Sequence, residues 1–577
     1  MQRLRTDVLI LGSGGAGLFA ALHAHQANEK LDITIAVKGL LGKSGCTRMV
    51  QGGYNVALAS GDSVERHFMD TIEGGKWLPD QKLAWTLVTK AVERIHELEN
   101  ELGCFFDRNA DGTIHQKAFA GQTFDRTVHK GDQTGIEIVN RLAEQVWARK
   151  IRRLEEHRAV ALIRNQGGDA LAGVLLVDVR SGDYSFVQTK AVLLATGGGP
   201  TMYKYHTPSG DKSCDGLAMA LAAGLPLRDM EMVQFHPTGL LAGAGTRMTG
   251  TVLEEGLRGA GGWLLNGEQQ RFMSQYDERA ERATRDIVSR AIYAEMRAGR
   301  TSRNGGVYID MKPLGPAKTR ELFKGMVSRC ADCGFDLAAG RVEVVPTAHY
   351  MMGGVKFELD CRTELPGLFA AGEDTGGVHG ANRLGGNGVA NSTVFGGIAG
   401  EAMAAWVVRD GGWHEPDQQQ IDAQIERCER PFVIAANRAM TANTVASIEP
   451  IRDALYETMW NDAGISRNRE GLQRAAGQLN RLDGELQHTG VAQTDRSFNL
   501  TWHDWLNLSS LIDVSRAVVA AALAREDSRG AHFREDFPDV CNLESSTYTV
   551  VRERAGQLQL SLEPVRFDMV RPGESLL

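Results

Sequence analysis

The segment that most constrains the fold is a glycine-rich loop near the N-terminus, which reads Gly12-Ser13-Gly14-Gly15-Ala16-Gly17. An apolar run at 6–12 predicts a buried strand before it, and the stretches at 18–26 and 33–38 predict a helix and a second strand after it. In such a βαβ unit the first glycine permits a tight turn, the second admits a pyrophosphate, and the third allows close helix packing. The loop predicts an α/β, Rossmann-like domain that binds a dinucleotide. A purely structural glycine turn is the alternative.

Lys38 ends the second predicted strand, where an NAD site usually carries an acidic residue for the ribose. This position therefore disfavours NAD. Two further glycine-rich turns follow predicted buried strands: Thr196-Gly197-Gly198 and Ala371-Gly372-Glu373. Glu373 can supply a ribose carboxylate from the second turn. Together with the N-terminal position of the first loop, these features favour FAD.

Charge and cysteine usage exclude several classes of protein. The 577 residues include 64 Lys and Arg against 72 Asp and Glu, and the net charge of −8 argues against nucleic-acid binding. Eight scattered cysteines argue against a disulfide framework, and the CxxC pair of Cys330 and Cys333 has no second pair, so no metal site is predicted. No run approaches the about 18 apolar residues of a membrane span, so membrane contact is expected only through a partner.

Changes of pattern indicate how the chain is organised. Residues 168–199 alternate like a small antiparallel sheet and end in a buried strand, and 365–373 resembles that strand. Between them, 230–347 is charged and weakly periodic, which predicts an α+β lobe inserted into the first domain. From about residue 415 the pattern is helical, and 548–565 alternates like a terminal hairpin.

Eight sequence blocks carry a resemblance to a known family: DTIEGGKWL (70–78), ATGGG (195–199), GLPLRDMEMVQFHPTG (224–239), EEGLRGAGG (254–262), TRDIVSRAI (284–292), PTAHYMMGG (346–354), HGANRLGGN (379–387) and DSRGAHFREDFP (527–538). In this order they resemble the flavoprotein subunit of the succinate dehydrogenase and fumarate reductase family, which includes L-aspartate oxidase. The resemblance implies an FAD-binding domain (1–229 and 348–414), an inserted α+β capping domain (230–347), a helical domain (415–535) and a short C-terminal β segment (536–577). It also implies hydride transfer between flavin N5 and a C4 dicarboxylate.

Such chemistry needs groups that clamp both carboxylates of the acid. The sequence offers His236, His349, His379 and Arg383 in Gly- or Pro-flanked turns, and an arginine can bind a carboxylate bidentately. The resemblance implies that His236 contacts one carboxylate and that His349 and Arg383 contact the other. It also implies that Phe106 packs over the substrate. The alternatives are ordinary loop histidines and a core phenylalanine.

Arg285 matches the arginine that moves protons in the family, with Glu255 and Arg258 as its relay. An arginine is a poor acid–base group on intrinsic grounds, so its surroundings must make a brief deprotonation tolerable. The alternative is a surface salt bridge, because Arg285 lies in the charge-rich run DERAERATRD at 277–286.

Cys46 is a first departure from the family. Respiratory members attach FAD through a histidine just before a Gly-Gly turn, and counting back from Gly52-Gly53 places Cys46 there. We therefore expect non-covalent FAD, as in the L-aspartate oxidase branch, with a cysteinyl–flavin bond as the alternative. Covalent attachment raises the flavin potential in the family, so its loss favours reduction or oxidase chemistry over succinate oxidation.

Glu254 is a second departure. The family usually has a threonine or serine there, whose hydroxyl binds a substrate carboxylate. A carboxylate in that place repels a diacid unless it points away or is protonated. It suits a substrate that carries an amine or a hydroxyl.

The residues expected to contact FAD lie in the glycine-rich turns, at Lys38 and in the matched blocks. They are Gly12, Ser13, Gly14, Gly15, Ala16, Gly17, Lys38, Ser44, Cys46, Thr47, Gln51, Gly52, Gly53, Thr196, Gly197, Gly198, Asp215, Glu373 and Asn387.

Three functions are compatible with these residues. The first is an FAD-dependent dehydrogenase or reductase of a small carboxylic acid, which passes electrons to an iron–sulfur partner subunit or a quinone. Its expected place is the cytoplasm or, through that partner and a membrane anchor, the inner face of the membrane. The second is an oxidase like L-aspartate oxidase, which takes an amino- or hydroxy-substituted diacid and uses O₂ or fumarate as acceptor. The third is a flavin electron relay without chemistry of its own, which has no need of a carboxylate clamp.

Overall fold

A computed structural model describes residues 1–243, 246, 248–440 and 447–577, without the side chains of 438–440. Its strands, in chain order, are β1 (Gln2–Leu11), β2 (Ile33–Val37), β3 (Tyr54–Asn55), β4 (Gln116–Lys117), β5 (Thr127–Val128), β6 (Arg152–Glu155), β7 (His157–Arg164), β8 (Leu171–Asp178), β9 (Tyr184–Leu194), β10 (Leu227–Arg228), β11 (Val233–Leu240), β12 (Trp263–Leu265), β13 (Val307–Asp310), β14 (Arg341–Met351), β15 (Gly354–Val355), β16 (Leu368–Ala370), β17 (Thr547–Arg554) and β18 (Gln557–Pro564).

The helices connect and cover these strands. In chain order they are α1 (Gly15–Ala27), α2 (Val64–Gly74), α3 (Gln81–Asn100), α4 (Thr134–Trp147), α5 (Asp215–Ala222), α6 (Gly256–Gly259), α7 (Arg285–Arg297), α8 (Pro316–Leu322), α9 (Lys324–Asp332), α10 (Asn387–Arg409), α11 (Gln418–Met440), α12 (Glu449–Asp462), α13 (Arg469–Gln487) and α14 (Leu500–Ala524).

The central sheet has the strand order β6-β2-β1-β9-β8-β7, and β16 pairs with the end of β9. β1 runs parallel to both β2 and β9, while β7, β8 and β9 are antiparallel. Residues 8–11 of β1 are all buried, as expected for a parallel strand that is covered on both faces. The antiparallel strands predicted within 168–199 therefore extend the Rossmann-like sheet. The predicted fold class is confirmed.

Helix α1 lies against α10 at a crossing that only small residues allow. A Cβ on Gly396 would lie 2.6 Å from the Ala16 carbonyl oxygen, and a Cβ on Gly400 would lie 2.3 Å from that of Ala20. Distances this short exclude any side chain at either glycine. The crossing therefore fixes the glycine-rich loop, which precedes α1, relative to the turn that precedes α10.

The inserted segment forms an antiparallel sheet of its own, in the order β11-β14-β13-β12. Its hydrophobic core includes Leu240, Leu264, Val288, Ile292 and Val344. We call this sheet and the helices α6–α9 the capping lobe. It falls where the sequence predicts the inserted domain, although the domain limits themselves stay a prediction.

The last part of the chain is helical and closes with the hairpin β17–β18, which pairs with β10 through Leu227 and Val551. Helix α14 is long and apolar enough to cross a membrane, with a mean hydropathy of 1.4, but 67% of that window is buried inside the protein. Asp513 and Arg516 interrupt its apolar run, which is why the sequence did not predict a helix of this kind.

Trp505 tests how α14 stabilises the helical part. Its side chain is fully buried, and its indole N–H donates to the Leu486 carbonyl at 3.2 Å and to that of Thr489 at 3.1 Å. We expect Trp505→Ala to lower the free energy of unfolding by about 3–5 kcal/mol, measured by urea titration with saturating FAD. Trp147→Ala, at a position 48% exposed, is the control and should change it by less than about 0.5 kcal/mol. An equal loss of unfolding free energy in the two variants would contradict a stabilising role for the buried Trp505 side chain.

Candidate active site

A cavity of about 610 Å³ opens between the central sheet and the capping lobe. The predicted cofactor residues that line it are Gly12, Ser13, Gly14, Gly15, Ala16, Lys38, Ser44, Cys46, Thr47, Gln51, Gly52, Gly53, Thr196, Gly197, Asp215 and Glu373. The predicted substrate and catalytic residues that line it are His236, Glu254, Glu255, Arg285, His349 and Arg383. The glycine-rich loop and the proposed carboxylate clamp therefore face one cavity.

The glycine-rich loop is shaped by close backbone contacts. Gly12 has a φ of +111°, and a Cβ there would lie 2.1 Å from the Ala195 carbonyl oxygen. A Cβ on Gly15, where α1 begins, would lie 2.5 Å from Ser392 Oγ. The first turn of α1 carries no acidic residue, so its N-terminus favours an anion. This cradle fits the pyrophosphate of FAD.

Lys38 belongs to a polar network in the same cavity as the glycine-rich loop. Its Nζ donates to Asp215 Oδ2 at 2.8 Å, and Arg158 donates to Asp215 Oδ1 at 2.7 Å. Burial lowers the pKa of Lys38 to about 8, against the opposing charge of Asp215. Although burial acts to raise the pKa of Asp215, Arg158 and Lys38 hold it below its usual value. The lysine that disfavoured a conventional NAD site is thus held by an aspartate.

Glu373 is positioned by the backbone. Its Oε1 accepts from the amides of Met351 at 3.0 Å and Gly199 at 3.2 Å. Burial raises the pKa of Glu373 to about 7. A carboxyl group fixed in this way at the cavity wall fits a cofactor hydroxyl, the role expected for it from the sequence.

Cys46 begins a short 3-10 turn, Cys46–Met49, at the cavity wall. Burial, with a contribution from Glu373, raises the pKa of its thiol to about 12. The thiol is therefore protonated at neutral pH. Because the thiolate is the nucleophile, this environment disfavours a bond to the flavin.

Three buried charges form a row beside the cavity. Arg285, the first residue of α7, donates to Glu255 Oε2 from Nη2 at 2.7 Å and from Nε at 3.0 Å. Arg258 Nη2 donates to Glu255 Oε1 at 3.2 Å. Burial acts to raise the pKa of Glu255, but the two arginines outweigh it and hold the pKa below its usual value. Arg285 is buried, which contradicts the alternative of a surface salt bridge.

Two histidines stand side by side on neighbouring strands. His236 on β11 and His349 on β14 have ring centroids 5.4 Å apart. Burial, followed by the charge of Arg285, lowers the pKa of both rings well below the usual value, so both are neutral. The Thr207 hydroxyl lies 2.8 Å from His349 Nδ1 and fixes that ring.

Arg383 enters the cavity from the turn before α10. Its guanidinium lies 4.3 Å from the ring centroid of Tyr350, and its Nε has no hydrogen-bond partner among the described residues. Burial, followed by the charge of Arg285, lowers the pKa of Arg383 to about 10. A buried guanidinium with a free donor is suited to an anionic ligand.

Glu254 lines the cavity but is already paired. Lys117 Nζ donates to its Oε1 at 2.7 Å, and the Glu254 side chain is 6% exposed. Burial raises the pKa of Glu254, and Lys117 opposes that rise. Sequence reasoning missed Lys117, because only the fold brings residue 117 next to residue 254.

Phe119 lines the cavity together with Tyr350, whereas Phe106, expected from the sequence to pack over the substrate, lies outside the lining. Phe106 is 4% exposed and belongs to a hydrophobic cluster that also includes residues of α1 and α4. Phe119 lines the cavity, and its Cζ lies 2.5 Å from where a Cβ of Gly52 would be. The signal in the sequence was the glycine at 121, which marks a turn just after Phe119.

Other predicted residues lie outside the cavity lining. His379 is buried behind Tyr350, with its Nε2 3.4 Å from the tyrosine hydroxyl. Asn387 bonds to Asn55 at 2.9 Å and to His67 at 3.0 Å instead of facing a ligand. The remaining three act through packing or through a neighbour: Gly198 beneath Met351, Gly17 against the Gly12 carbonyl, and Arg258 through Glu255.

A second cavity of about 1090 Å³ adjoins the first and shares part of its lining. Four residues line both cavities: Phe119, Asp132, Glu254 and Glu255. Lys117 and Arg258 line only the second. The ion pairs Lys117–Glu254 and Arg258–Glu255 therefore lie between the two cavities.

Comparison with known proteins identifies the family. Residues 7–389 match the FAD binding domain, and residues 452–576 match the C-terminal part of fumarate reductase flavoproteins. One subunit of the CoM/CoB fumarate reductase of Methanothermobacter marburgensis is 40% identical over 543 residues, 92% of this chain and 94% of that protein. The chain belongs to the flavoprotein-subunit family of succinate dehydrogenase and fumarate reductase.

Further members of this flavoprotein family agree in sequence and in fold. The fumarate reductase flavoprotein subunit of Escherichia coli K12 is 34% identical over 554 residues, 93% of this chain and 89% of that one. The solved FrdA chain of E. coli quinol fumarate reductase superposes with a TM-score of 0.91 at 32% identity, covering 100% of this chain and 99% of that one. The protein is an FAD-dependent oxidoreductase of the CH–CH class.

Acid precipitation tests how the flavin is attached. We expect the yellow colour of FAD-loaded protein to stay in the supernatant, because the Cys46 thiol is protonated and unreactive. Cys46→Ser should leave FAD content and the visible spectrum unchanged. Colour in the wild-type pellet that moves to the supernatant in Cys46→Ser would mean that the thiol bonds the flavin.

Proposed function

We propose that this chain is the catalytic flavoprotein subunit of an oxidoreductase that interconverts C4 dicarboxylates of the succinate and fumarate type. One observation carries the proposal: His236, His349 and Arg383 line, together with Arg285, the same cavity as the FAD loop. These side chains offer neutral imidazoles and an unpaired guanidinium, which are suited to two carboxylates. A relay subunit needs no such group.

Each side chain of the proposed carboxylate clamp has its own role. Arg383 binds one carboxylate through its planar fork, and His349, fixed by Thr207, binds the same carboxylate. His236 binds the other end of the diacid. Because both imidazoles are neutral, each can donate one hydrogen bond without taking up a proton that the reaction needs.

Arg285 is the proposed proton donor and acceptor. FAD, when bound, supplies or accepts a hydride at N5 on one carbon of the diacid. Arg285 Nη2 gives a proton to the adjacent carbon of fumarate, which completes succinate, and the reverse direction returns it. Glu255 is ionised at rest, so it first takes up a proton from solvent and then passes it from Oε2, which accepts from Nη2, to Arg285, while Arg258 holds its second oxygen.

An iron–sulfur partner subunit is the proposed electron carrier, with a quinone beyond it and a place on the inner face of the membrane. The similar proteins from M. marburgensis and E. coli are themselves subunits, which supports a partner. Non-covalent FAD favours reduction of fumarate over oxidation of succinate. The protonated Cys46 thiol supports that direction.

The L-aspartate-oxidase alternative rests on Cys46, through the expected non-covalent FAD, and on Glu254, and of these only Glu254 bears on the substrate. Its carboxylate suits a substrate amine only while its charge is free, and Lys117 already compensates that charge. The pairing removes the reason to require an amino group. A plain dicarboxylate is therefore the favoured substrate.

A substrate panel separates the three functions. We expect fumarate to reoxidise dithionite-reduced flavin under anaerobic conditions, succinate to bleach oxidised flavin slowly, and L-aspartate to leave it unchanged. The measurement is flavin absorbance after rapid mixing. Bleaching by L-aspartate would favour the oxidase, and a flavin inert to every acid would favour the relay.

Arg285→Lys tests the proton donor. Lysine keeps the positive charge but not the paired contacts of the guanidinium with Glu255. We expect kcat for fumarate to fall by about 10²- to 10⁴-fold. FAD content and malonate affinity, measured by flavin absorbance, should be nearly unchanged. Arg282→Lys, an exposed neighbour in the same charged run, is the matched control, and equal kcat in the two variants would refute the role.

A further inference from the structure

Arg329 lines the cavity that contains the glycine-rich loop, and it has no carboxylate partner among the described residues. It lies on α9 of the capping lobe, and its Nη1 donates to the Val252 carbonyl at 3.1 Å. The Gln51 amide, oriented to satisfy its hydrogen bonds, accepts from Nη2 at 3.1 Å. No aspartate or glutamate within the described part of the chain forms an ion pair with Arg329. These neutral contacts leave its positive charge uncompensated.

Most other arginines at the cavity are engaged elsewhere. Arg285 and Arg158 lie against Glu255 and Asp215, respectively. Arg48 likewise has only neutral partners among the described residues, the Gly42 carbonyl at 3.2 Å and Asn140 of α4 at 3.0 Å, but it lies in the 3-10 turn Cys46–Met49 and not on the capping lobe.

Arg383 is the guanidinium that most resembles Arg329. It too lacks a carboxylate ion pair in the described structure, and it is the proposed ligand of one substrate carboxylate. One of these two arginines comes from the turn before α10 and the other from the capping lobe. The cavity thus has on each side a guanidinium that lacks a carboxylate partner among the described residues, and a diacid has two carboxylates.

The contacts of α9 connect the helix that carries Arg329 to β11 through the segment 252–254. Met326 and Arg329 lie one turn apart on α9, and Met326 Sδ accepts from the Glu254 amide at 3.5 Å. The segment 252–254 runs beside β11, since Leu253 N donates to the Thr238 carbonyl at 2.9 Å. β11 carries His236, the proposed ligand of the second carboxylate.

The residue at position 254 explains why another side chain is needed to bind the second carboxylate. The family resemblance leads us to expect a hydroxyl there that donates to a carboxylate, but Glu254 has no such donor. Its Oε1 is bound by Lys117 on the side of the second cavity. Arg329 on the neighbouring helix α9 carries the hydrogen-bond donors that Glu254 lacks.

We propose that Arg329 binds the second carboxylate of the substrate, in place of a hydroxyl at position 254, and that Lys117 neutralises Glu254 so that a diacid can enter. This inference rests on the proposed function, because it takes the substrate to be a dicarboxylate. It makes Arg329 a substrate-binding residue supplied by the capping lobe, opposite Arg383.

Binding of unreactive acids tests the role without turnover. We expect Arg329→Met to raise the Kd of malonate, read from flavin absorbance, by about 10- to 100-fold, the loss of one charge-assisted carboxylate contact. The Kd of propionate, which has a single carboxylate, should change by less than about twofold. Arg329→Lys should recover part of the malonate affinity, because it restores the charge but not the fork.

Arg320→Met is the matched control. It removes one positive charge from the same lobe, but Arg320 is exposed and lies 3.5 Å from Asp336 on the surface. It should leave both Kd values unchanged.

Three results would overturn the assignment. Equal weakening of malonate and propionate by Arg329→Met would indicate a general loss of the site. Loss of FAD from this variant would place the guanidinium against the flavin. Unchanged malonate affinity, in a wild-type protein that reduces fumarate, would sink this inference alone, whereas a wild-type protein that binds no diacid would overturn the proposed function as well.

Discussion

The crossing of α1 and α10 is the constraint on which the rest of the site depends. Gly396 and Gly400 bring α10 against the backbone of α1 at distances that no side chain permits. Each helix begins directly after a functional turn: the phosphate cradle before α1 and the Arg383 turn before α10. One tight contact between small residues therefore sets the distance between the cofactor's phosphates and the carboxylate clamp.

Electrostatics divides the cavity wall into paired and unpaired charges. Glu255 is held between Arg285 and Arg258, and Glu254 is held by Lys117, so both buried acids are compensated. Arg383 and Arg329 keep uncompensated charge that faces the cavity. A site with two such arginines gains most from a ligand with two negative ends.

Local patterns in the sequence were enough to predict the Rossmann-like unit, the inserted lobe and the terminal hairpin, because each depends on apolar periodicity and glycine turns. Matched blocks led to Arg285, Glu255 and His236, which do line one cavity. Phe106 was expected over the substrate, but Phe119 lines the cavity in its stead, and only the packing of the folded chain distinguishes the two positions. Lys117 and Arg329 were missed because their partners are 137 and 77 residues away in sequence.

The discontinuous sheet also has a consequence for synthesis on the ribosome. β16 and α10 complete the sheet and cover α1, yet the whole capping lobe is translated before them. Roughly 360 residues separate the end of α1 from the start of α10, and at about 5–20 residues per second they take about 20–70 s to be made. For much of its translation the nascent chain therefore carries α1 without α10, so the apolar face that α10 covers in the finished protein stays exposed.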